Sequence, residues 1–273
     1  MPTPTPANCD MSRGFTLPIA TLWWRDIVRF LRQPSRVVGA LGTPLVLWLL
    51  IGSGFGGSFR AGRTDAGYLE YFFPGTIMMI LLFSSIFSSI SVIEDRNEGF
   101  LLSALVAPIS RLSLVLGKVL GGATLAVLQA FLFVLLAPIA GLSLNSISWL
   151  AFFSLAFVIA LMLNGLGFAF AWQLDSIQGF HAIMNLLLVP MWVLSGALFP
   201  SSGASVWVRW IMRINPLTYG MSGIRQLLGR GASGLGVEAS SFDGNFAVTT
   251  LFGVLMLISA CYLVRRQALK GIT

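Results

Sequence analysis

The chain has 273 residues, of which 56% are hydrophobic and only 10% charged, and its formal net charge is +7. Its mean hydropathy of +0.85 excludes a water-soluble globule, because too few polar side chains are present to cover one, and indicates an integral membrane protein. In a membrane protein an excess of Lys and Arg reflects the orientation of the loops rather than binding to nucleic acid, so we expect no nucleic-acid partner.

The amino-terminal part divides into a tail and an amphipathic helix. Residues 1–16 are rich in Pro and Thr without an apolar core, which indicates a disordered tail rather than a signal peptide. Residues 17–36 show helical spacing, with apolar residues on one side and a basic side made of Arg25, Arg29, Arg32 and Arg36. This pattern predicts a helix in the membrane interface, although a helix packed against another protein would show the same pattern.

Long charge-free runs predict the spans, since about twenty apolar residues are needed to cross the hydrocarbon of a bilayer. We expect six spans, two of them inside the uncharged stretch Val119–Leu174 with a turn at residues 138–146 between them. The other four are Val37–Ser53, Phe72–Ile93, Ile183–Leu198 and Asn245–Val264. The predicted fold is an all-α integral membrane protein, with residues 37–264 as one six-helix transmembrane domain and residues 265–273 as a short tail.

Residues 199–230 form neither a clean span nor a plain loop. Val206–Ile214 is amphipathic, Asn215-Pro216 interrupts the pattern, and a second helical pattern begins at Leu217. We predict a re-entrant hairpin of two short helices in the outer leaflet, which requires protein packing to satisfy the backbone at the break. The candidate functional residues of this re-entrant segment are Arg209, Arg213, Asn215, Pro216 and Tyr219.

The distribution of basic residues predicts the orientation. Six spans place both termini on one side, and eleven of the 17 Lys and Arg residues, Lys118 among them, fall on that side. The positive-inside rule therefore puts both termini and the segment 94–111 in the cytosol. We expect a multi-pass protein of the cell inner (cytoplasmic) membrane.

The chain carries few groups suited to catalysis. Gly117-Lys118 is followed by Val119, so no phosphate-binding P-loop is present, and no His or Cys spacing fits a metal site. We expect no catalytic residue, no metal and no cofactor held by this chain, which would then be a transport subunit rather than an enzyme. His181 and Asp175 leave a proton relay, or the base of a membrane-embedded enzyme, as alternatives.

The composition of the spans bears on the energy source. Ion-driven transporters commonly place acidic or basic groups inside the bilayer, where these groups bind the coupling ion. No predicted span has such a group at its centre, which argues against an ion-gradient-driven transporter or channel. That class remains the alternative function.

The segment 94–111 separates the second and third spans and begins with four charges in five residues. Glu94, Asp95 and Glu98 enter lipid only at high cost, so they fix the end of the second span at the membrane surface. Residues 100–106 then present a helical apolar face that is too short to span a bilayer. Lipid headgroups or a soluble partner must cover this face, and a partner is our preferred interpretation.

Motifs in and after this segment resemble those of permease subunits of ATP-binding-cassette exporters, the ABC-2 type class that exports drugs, lipids and polysaccharides. The similar motifs are Glu98-Gly99, Ala107-Pro108, Ser110-Arg111 and Gly117-Lys118-Val119-Leu120, and after the fifth span Leu194–Pro200, Asn215–Gly220 and Ile224-Arg225. The family typically has Arg-Glu before Gly-Thr where this chain has Asn97-Glu98-Gly99-Phe100, a minor departure because the acid and the glycine are kept.

The resemblance implies roles for the segments of this chain and a subunit composition for the transporter. Residues 17–36 would be a connecting helix, and the segment 94–111 would be a coupling region received by an ATPase. Two permease chains, expected as a homodimer, would work with two copies of a separate ABC ATPase subunit that binds ATP and Mg. They would move an amphipathic, drug-like, lipid or lipid-linked saccharide substrate outward. The ATPase-coupling residues carried over by position are Glu94, Asp95, Arg96, Glu98, Gly99, Phe100, Leu101, Leu102, Leu105 and Pro108.

Overall fold

The computed structural model describes residues 13–55, 68–100, 110–199, 201–228 and 241–270. These residues form nine α-helices and contain no strand, which confirms the predicted all-α class. The helices are α1 (Arg13–Leu31), α2 (Pro34–Phe55), α3 (Tyr68–Asn97), α4 (Arg111–Val134), α5 (Trp149–Gln173), α6 (Ile177–Trp192), α7 (Val206–Ile214), α8 (Pro216–Leu227) and α9 (Phe242–Lys270). By length and composition, six of them are able to cross a membrane, namely α2 to α6 and α9.

The third span begins earlier than its charge-free run. Helix α4 starts at Arg111 rather than at Val119, because the Ser110 hydroxyl accepts a hydrogen bond from the Ser113 N–H at 3.0 Å and caps the helix. A capping oxygen satisfies a backbone donor that has no partner within the helix. Lys118, which the charge count placed outside the membrane, therefore lies inside the third span.

The predicted helix over residues 17–36 is divided in the structure. Helix α1 ends at Leu31, and α2 begins with Pro34. Proline is favoured at the first position of a helix, where its missing N–H leaves no hydrogen bond unmade. Arg36 therefore belongs to the first span instead of to the amphipathic helix.

Helix α6 also begins before its apolar run, at Ile177 instead of the predicted Ile183. The Ser176 hydroxyl caps it by accepting a hydrogen bond from a backbone N–H of the first turn at 3.3 Å. At its other end the helix widens into a π-helical turn over Val193–Ala197. Gly196 in this turn has a φ of +87°, a left-handed conformation that favours glycine and ends the helix.

Helix α3 lies at the centre of the molecule and packs against α2, α4, α5 and α6. Its apolar segment is 89% buried, whereas those of α2, α6 and α9 are 22% buried. Serine hydroxyls suit this surrounded position because they return hydrogen bonds to their own helix, Ser85 to the Leu81 carbonyl at 2.7 Å and Ser89 to the Ser85 carbonyl at 2.8 Å. Because four helices surround α3, its end with the acidic residues also lies among them.

Candidate functional site

A left-handed glycine ends α3 inside the predicted coupling region. The N–H groups of Glu98 and Gly99 donate to the carbonyls of Glu94 and Arg96 at 2.8 and 3.1 Å. Gly99 has a φ of +76°, and a Cβ there would meet no atom within 4 Å, so the backbone conformation rather than space favours glycine. The last four predicted coupling residues lie outside the described residues: Leu101, Leu102, Leu105 and Pro108.

Eight charged side chains of the described helices α1 to α4 and the turn after α3 form one ion-pair network, which we call the charged cluster. Its members are Arg25, Asp26, Arg29, Arg36, Glu94, Asp95, Glu98 and Lys118. The four acids balance the four bases, so the charged cluster is neutral when all its members are ionised.

Lys118 lies at the buried centre of the charged cluster. Its Nζ pairs with a carboxylate oxygen of Asp95 and lies 3.2 Å from an oxygen of Asp26, and it donates to the Ser91 hydroxyl at 3.2 Å. The Asp95 side chain is fully buried, and those of Asp26 and Lys118 are 4% and 2% exposed. Because burying an unpaired charge costs several kcal/mol, each of these three groups depends on the others for its compensation.

Arginines of α1 and α2 cover the acidic end of α3. Arg29 lies 2.6 Å from Asp95, 3.2 Å from Glu94 and 2.8 Å from Glu98, while Arg36 pairs with Glu94. The Glu98 side chain is 59% exposed and forms the open edge of the charged cluster. The charged cluster therefore extends from the buried pair of Lys118 and Asp95 to the exposed Glu98, which a second protein can reach.

The Asp26 carboxyl, on the interfacial helix α1, has a raised proton affinity. Burial raises the pKa of Asp26 above its ordinary value, Lys118 opposes that rise, and Asp95 adds to it. A carboxyl with a raised pKa takes up a proton at a higher pH than a free one. The net charge at the centre of the cluster is therefore sensitive to acidic pH.

Two further predicted coupling residues contact other helices. Arg96 donates to the carbonyls of Ala171 and Trp172 at 2.7 and 3.0 Å, at the end of α5, where carbonyls have no partner within the helix. The Arg25 guanidinium lies over the Phe100 ring, 3.6 Å from its centroid. This end of α3 is thus anchored on α1 and α5 as well as on α4.

Two acids of the charged cluster, Asp95 and Asp26, have surroundings that the sequence did not predict. We placed residues 94–98 at the membrane surface, which stays a prediction; within the protein, Asp95 is completely buried among helices, where Lys118 of α4 neutralises it. Sequence reasoning missed Asp26, although a signal was present: Asp26 shares a helical face with the buried Leu22 and Phe30. An acid on an apolar face needs a basic partner from another element. The coupling role of these residues stays a prediction.

The two short helices of the re-entrant segment meet at Asn215. Its carboxamide accepts a hydrogen bond from the first turn of α8 at 3.1 Å and donates to the Met191 carbonyl at 2.6 Å. Pro216 is the first residue of α8, and the Tyr219 hydroxyl donates to the Arg213 carbonyl at 2.8 Å. Asn215 therefore joins α7 and α8 to each other and to α6.

One face of α7 is apolar and exposed. It carries Val206, Trp207, Trp210, Ile211 and Ile214, with the exposed Arg209 and Arg213 beside it. Such a face suits a lipid interface, where aromatic rings and arginines are stable together. Entry of this segment into the outer leaflet stays a prediction.

Arg225, which was predicted only to be part of a motif, is a buried residue. Its guanidinium donates to the Gly196 carbonyl at 2.8 Å and lies over the Tyr71 ring, 4.2 Å from the centroid. The Tyr71 hydroxyl donates to the same Gly196 carbonyl at 3.3 Å. Arg225 thus ties α8 to α3 and to the broken end of α6, at the opposite end of α3 from the charged cluster.

Comparison with known proteins gives the context of these two regions. The profile of the family described as ABC-2 type transporter matches residues 18–228, which include the charged cluster and both short helices. Transport permease ycf38 of Cyanophora paradoxa is 29% identical over 206 residues, which cover 74% of this chain and 71% of that protein. The protein of the same name in Porphyra purpurea is 27% identical over 216 residues, covering 77% and 73%. Nodulation protein J of Sinorhizobium fredii (strain NBRC 101917 / NGR234) is 24% identical over 264 residues, covering 91% and 93%.

Proposed function

Since the chain belongs to the ABC-2 type transporter family, it is a multi-pass membrane transport permease, and we propose that it is the membrane subunit of an ATP-driven exporter. The family implies an ATPase partner. We further propose that two copies of this permease, as a homodimer in the cell inner membrane with all termini cytosolic, work with two copies of a separate ATPase subunit. ATP and Mg would be bound by that partner and not by this chain.

The observation that carries this proposal is the gradient of exposure across the charged cluster. Glu98 is open to a partner, whereas Asp95, in the same stretch, is closed into ion pairs with α1 and α4. A displacement applied at the open edge would therefore reach α1, α2 and α4 through paired charges. Packed and hydrogen-bonded contacts of this kind carry coupling between distant sites when they have two arrangements.

The proposed substrate is amphipathic: a drug-like molecule, a lipid or a lipid-linked saccharide. Lys118, the charged residue buried deepest in the third span, is compensated by Asp26 and Asp95 and offers no free charge to a polar ion. The apolar composition of the six spans suits a substrate that is itself partly apolar. Movement outward is part of the same proposal.

Glu98→Arg tests the coupling role of the open edge. The substitution replaces the 2.8 Å ion pair with Arg29 by a repulsion, while the buried pair of Asp95 and Lys118 stays intact. We expect normal membrane insertion and continued ATP hydrolysis by the partner, with transport per ATP lowered at least about fivefold, the lower range of typical coupling free energies. The measurement is export of a fluorescent lipid from vesicles that contain the purified complex, with ATP hydrolysis followed in parallel.

Asp243→Arg is the matched control, because Asp243 is an exposed acid in the first turn of α9, at the other end of the molecule. Transport that is equally high in both variants would mean that this segment is only an interfacial loop. Transport that persists without ATP under an imposed ion gradient would replace the proposed exporter by the alternative, an ion-gradient-driven transporter or channel.

A further inference from the structure

A cleft lies between the start of α4 and the last turns of α9. It is lined by Ser110, Arg111, Leu112, Cys261 and Arg265, and it has a volume of about 480 Å³. Its two arginines come from different helices and are both exposed. The cleft is separate from the charged cluster, with which it shares no residue.

The cleft carries positive charge without an acid to balance it. Among the described residues, no acidic side chain lines the cleft and no carboxylate forms an ion pair with Arg111 or Arg265. The first turn of α4 has no acidic residue either, although the start of a helix favours negative charge. An arginine at this helix start is unfavourable by itself and becomes favourable when an anion is bound between the two guanidinium groups.

The position of the cleft along the spans indicates where that anion comes from. Arg111 is the first residue of the third span and Arg266 the last residue of the sixth, so the cleft lies at one boundary of the hydrocarbon. Phosphate groups of lipids lie at this depth. Next to the arginines, the exposed Leu112 and Tyr262 offer an apolar and an aromatic surface to acyl chains and their glycerol backbone.

We propose that this cleft binds the phosphate of an anionic phospholipid, with Arg111 and Arg265 as its two phosphate-binding residues. The guanidinium groups hold the phosphate oxygens, and the acyl chains descend along the exposed sides of α4 and α9. The site rests on the membrane-spanning fold alone and is independent of the proposed ATP-driven export. Bound lipid tethers the end of α9 to the start of α4.

Cys261 provides a local probe because its half-buried thiol lines the cleft. In a Cys9→Ser background it is the sole cysteine of the chain. The rate of its reaction with a small maleimide is measured in vesicles of phosphatidylcholine, with and without phosphatidylglycerol. We expect phosphatidylglycerol to slow the reaction, and the variant Arg111→Gln/Arg265→Gln to lower the affinity for this lipid at least about tenfold.

The control variant is Arg32→Gln, which removes an exposed arginine after α1 that does not line the cleft and should leave the protection of Cys261 unchanged. The single variant Arg265→Gln, at an exposed position near the end of α9, is the second variant should the double variant fail to insert. Native mass spectrometry then counts the phosphatidylglycerol molecules that the purified full chain retains.

Three outcomes overturn the proposal. If inorganic phosphate in pure phosphatidylcholine vesicles slows the maleimide reaction of Cys261 as much as phosphatidylglycerol does, the cleft binds a free anion. Unchanged lipid protection in the arginine variants places the lipid elsewhere. Protection that requires an ATPase subunit or a second copy of the chain, and no anionic lipid, makes the cleft a protein interface.

Discussion

At the scale of single residues, Lys118 has the most demanding environment of the charged cluster. It enters the third span with a side chain only 2% exposed, and both of its acidic partners are buried with it. Ion pairs at exposed positions contribute about 0–1 kcal/mol, whereas breaking a buried pair leaves an uncompensated charge and is strongly destabilising. The cost of substitution should therefore fall steeply from Lys118 towards the open edge at Glu98.

Lys118→Met tests this gradient. The substitution leaves Asp26 and Asp95 buried without their cation, and we expect the free energy of unfolding to fall by about 3–5 kcal/mol. The measurement is thermal unfolding of the purified chain in detergent, compared with Arg32→Met at an exposed position after α1. Equal stability of the two variants would show that the ion pairs of Lys118 contribute nothing to stability.

The raised pKa of Asp26 gives a pH dependence with a defined sign. The folded protein holds a proton on Asp26 at pH values where the unfolded chain, with its ordinary pKa, has lost it. This group therefore contributes stability that is complete below the unfolded pKa and is lost as the pH rises through the folded pKa. Asp26→Asn lacks this titration.

We therefore expect the wild-type protein to lose stability relative to Asp26→Asn as the pH rises from about 4, the ordinary pKa of an aspartate, towards neutrality. The measurement is the difference between the unfolding temperatures of the two proteins over this range. A difference that stays constant with pH, or that changes in the opposite direction, contradicts the assignment.

At the scale of elements, the close approach of α3, α4 and α5 depends on small residues. A Cβ at Gly122 of α4 would lie 2.0 Å from the Asn164 Oδ1 of α5 and 2.4 Å from the Ser88 hydroxyl of α3. Asn164 in turn donates to the Ser85 hydroxyl at 2.8 Å. Small residues and short polar side chains allow helices to pack closely where lipid supplies no hydrophobic driving force.

Gly122→Ala should therefore lower the free energy of unfolding by about 1–3 kcal/mol, the usual cost of overfilling a packed contact. The matched control is Gly54→Ala near the end of α2, where a Cβ would meet no atom within 4 Å. There we expect unchanged stability or a gain of up to about 1 kcal/mol, because alanine favours a helix more than glycine does. Thermal unfolding in detergent compares the two, and a harmless Gly122→Ala would mean that the three helices are less closely packed.

At the scale of the whole molecule, the burial of the spans is unequal. The central α3 is almost enclosed, whereas α2, α6 and α9 leave most of their apolar surface uncovered. Surface of this kind needs lipid or a second chain to cover it. The proposed homodimer and the proposed lipid site both use part of this outer surface.

The proposed orientation of the molecule predicts which surfaces react with a reagent added from outside the cell. In a background without native cysteines, Arg32→Cys lies beside the charged cluster and Ser205→Cys precedes α7, both at exposed positions. We expect an impermeant maleimide to label Ser205→Cys in intact cells and Arg32→Cys only after permeabilisation. The reverse pattern would place the charged cluster outside the cell and exclude a cytosolic ATPase as its partner.

Local sequence determined the helical class, the six spans and the family. Twenty apolar residues without charge have few ways to satisfy their backbone except as a membrane helix, so the spans follow from composition. Glu98-Gly99 was named beforehand only as a motif of the resembled family, and the left-handed Gly99 that ends α3 was found in the structure.

Only the tertiary structure shows which residues form the charged cluster and that Arg225 joins α8 to α3 and α6. Asp26, Asp95 and Lys118 come from three helices, and hydrophobicity assigns each of them to a surface when it is considered alone. Lys118 enters the membrane span because Asp26 and Asp95 compensate its charge there. The physical reason is that the cost of burying a charge depends on its partners in space, and the order of residues along the chain does not specify those partners.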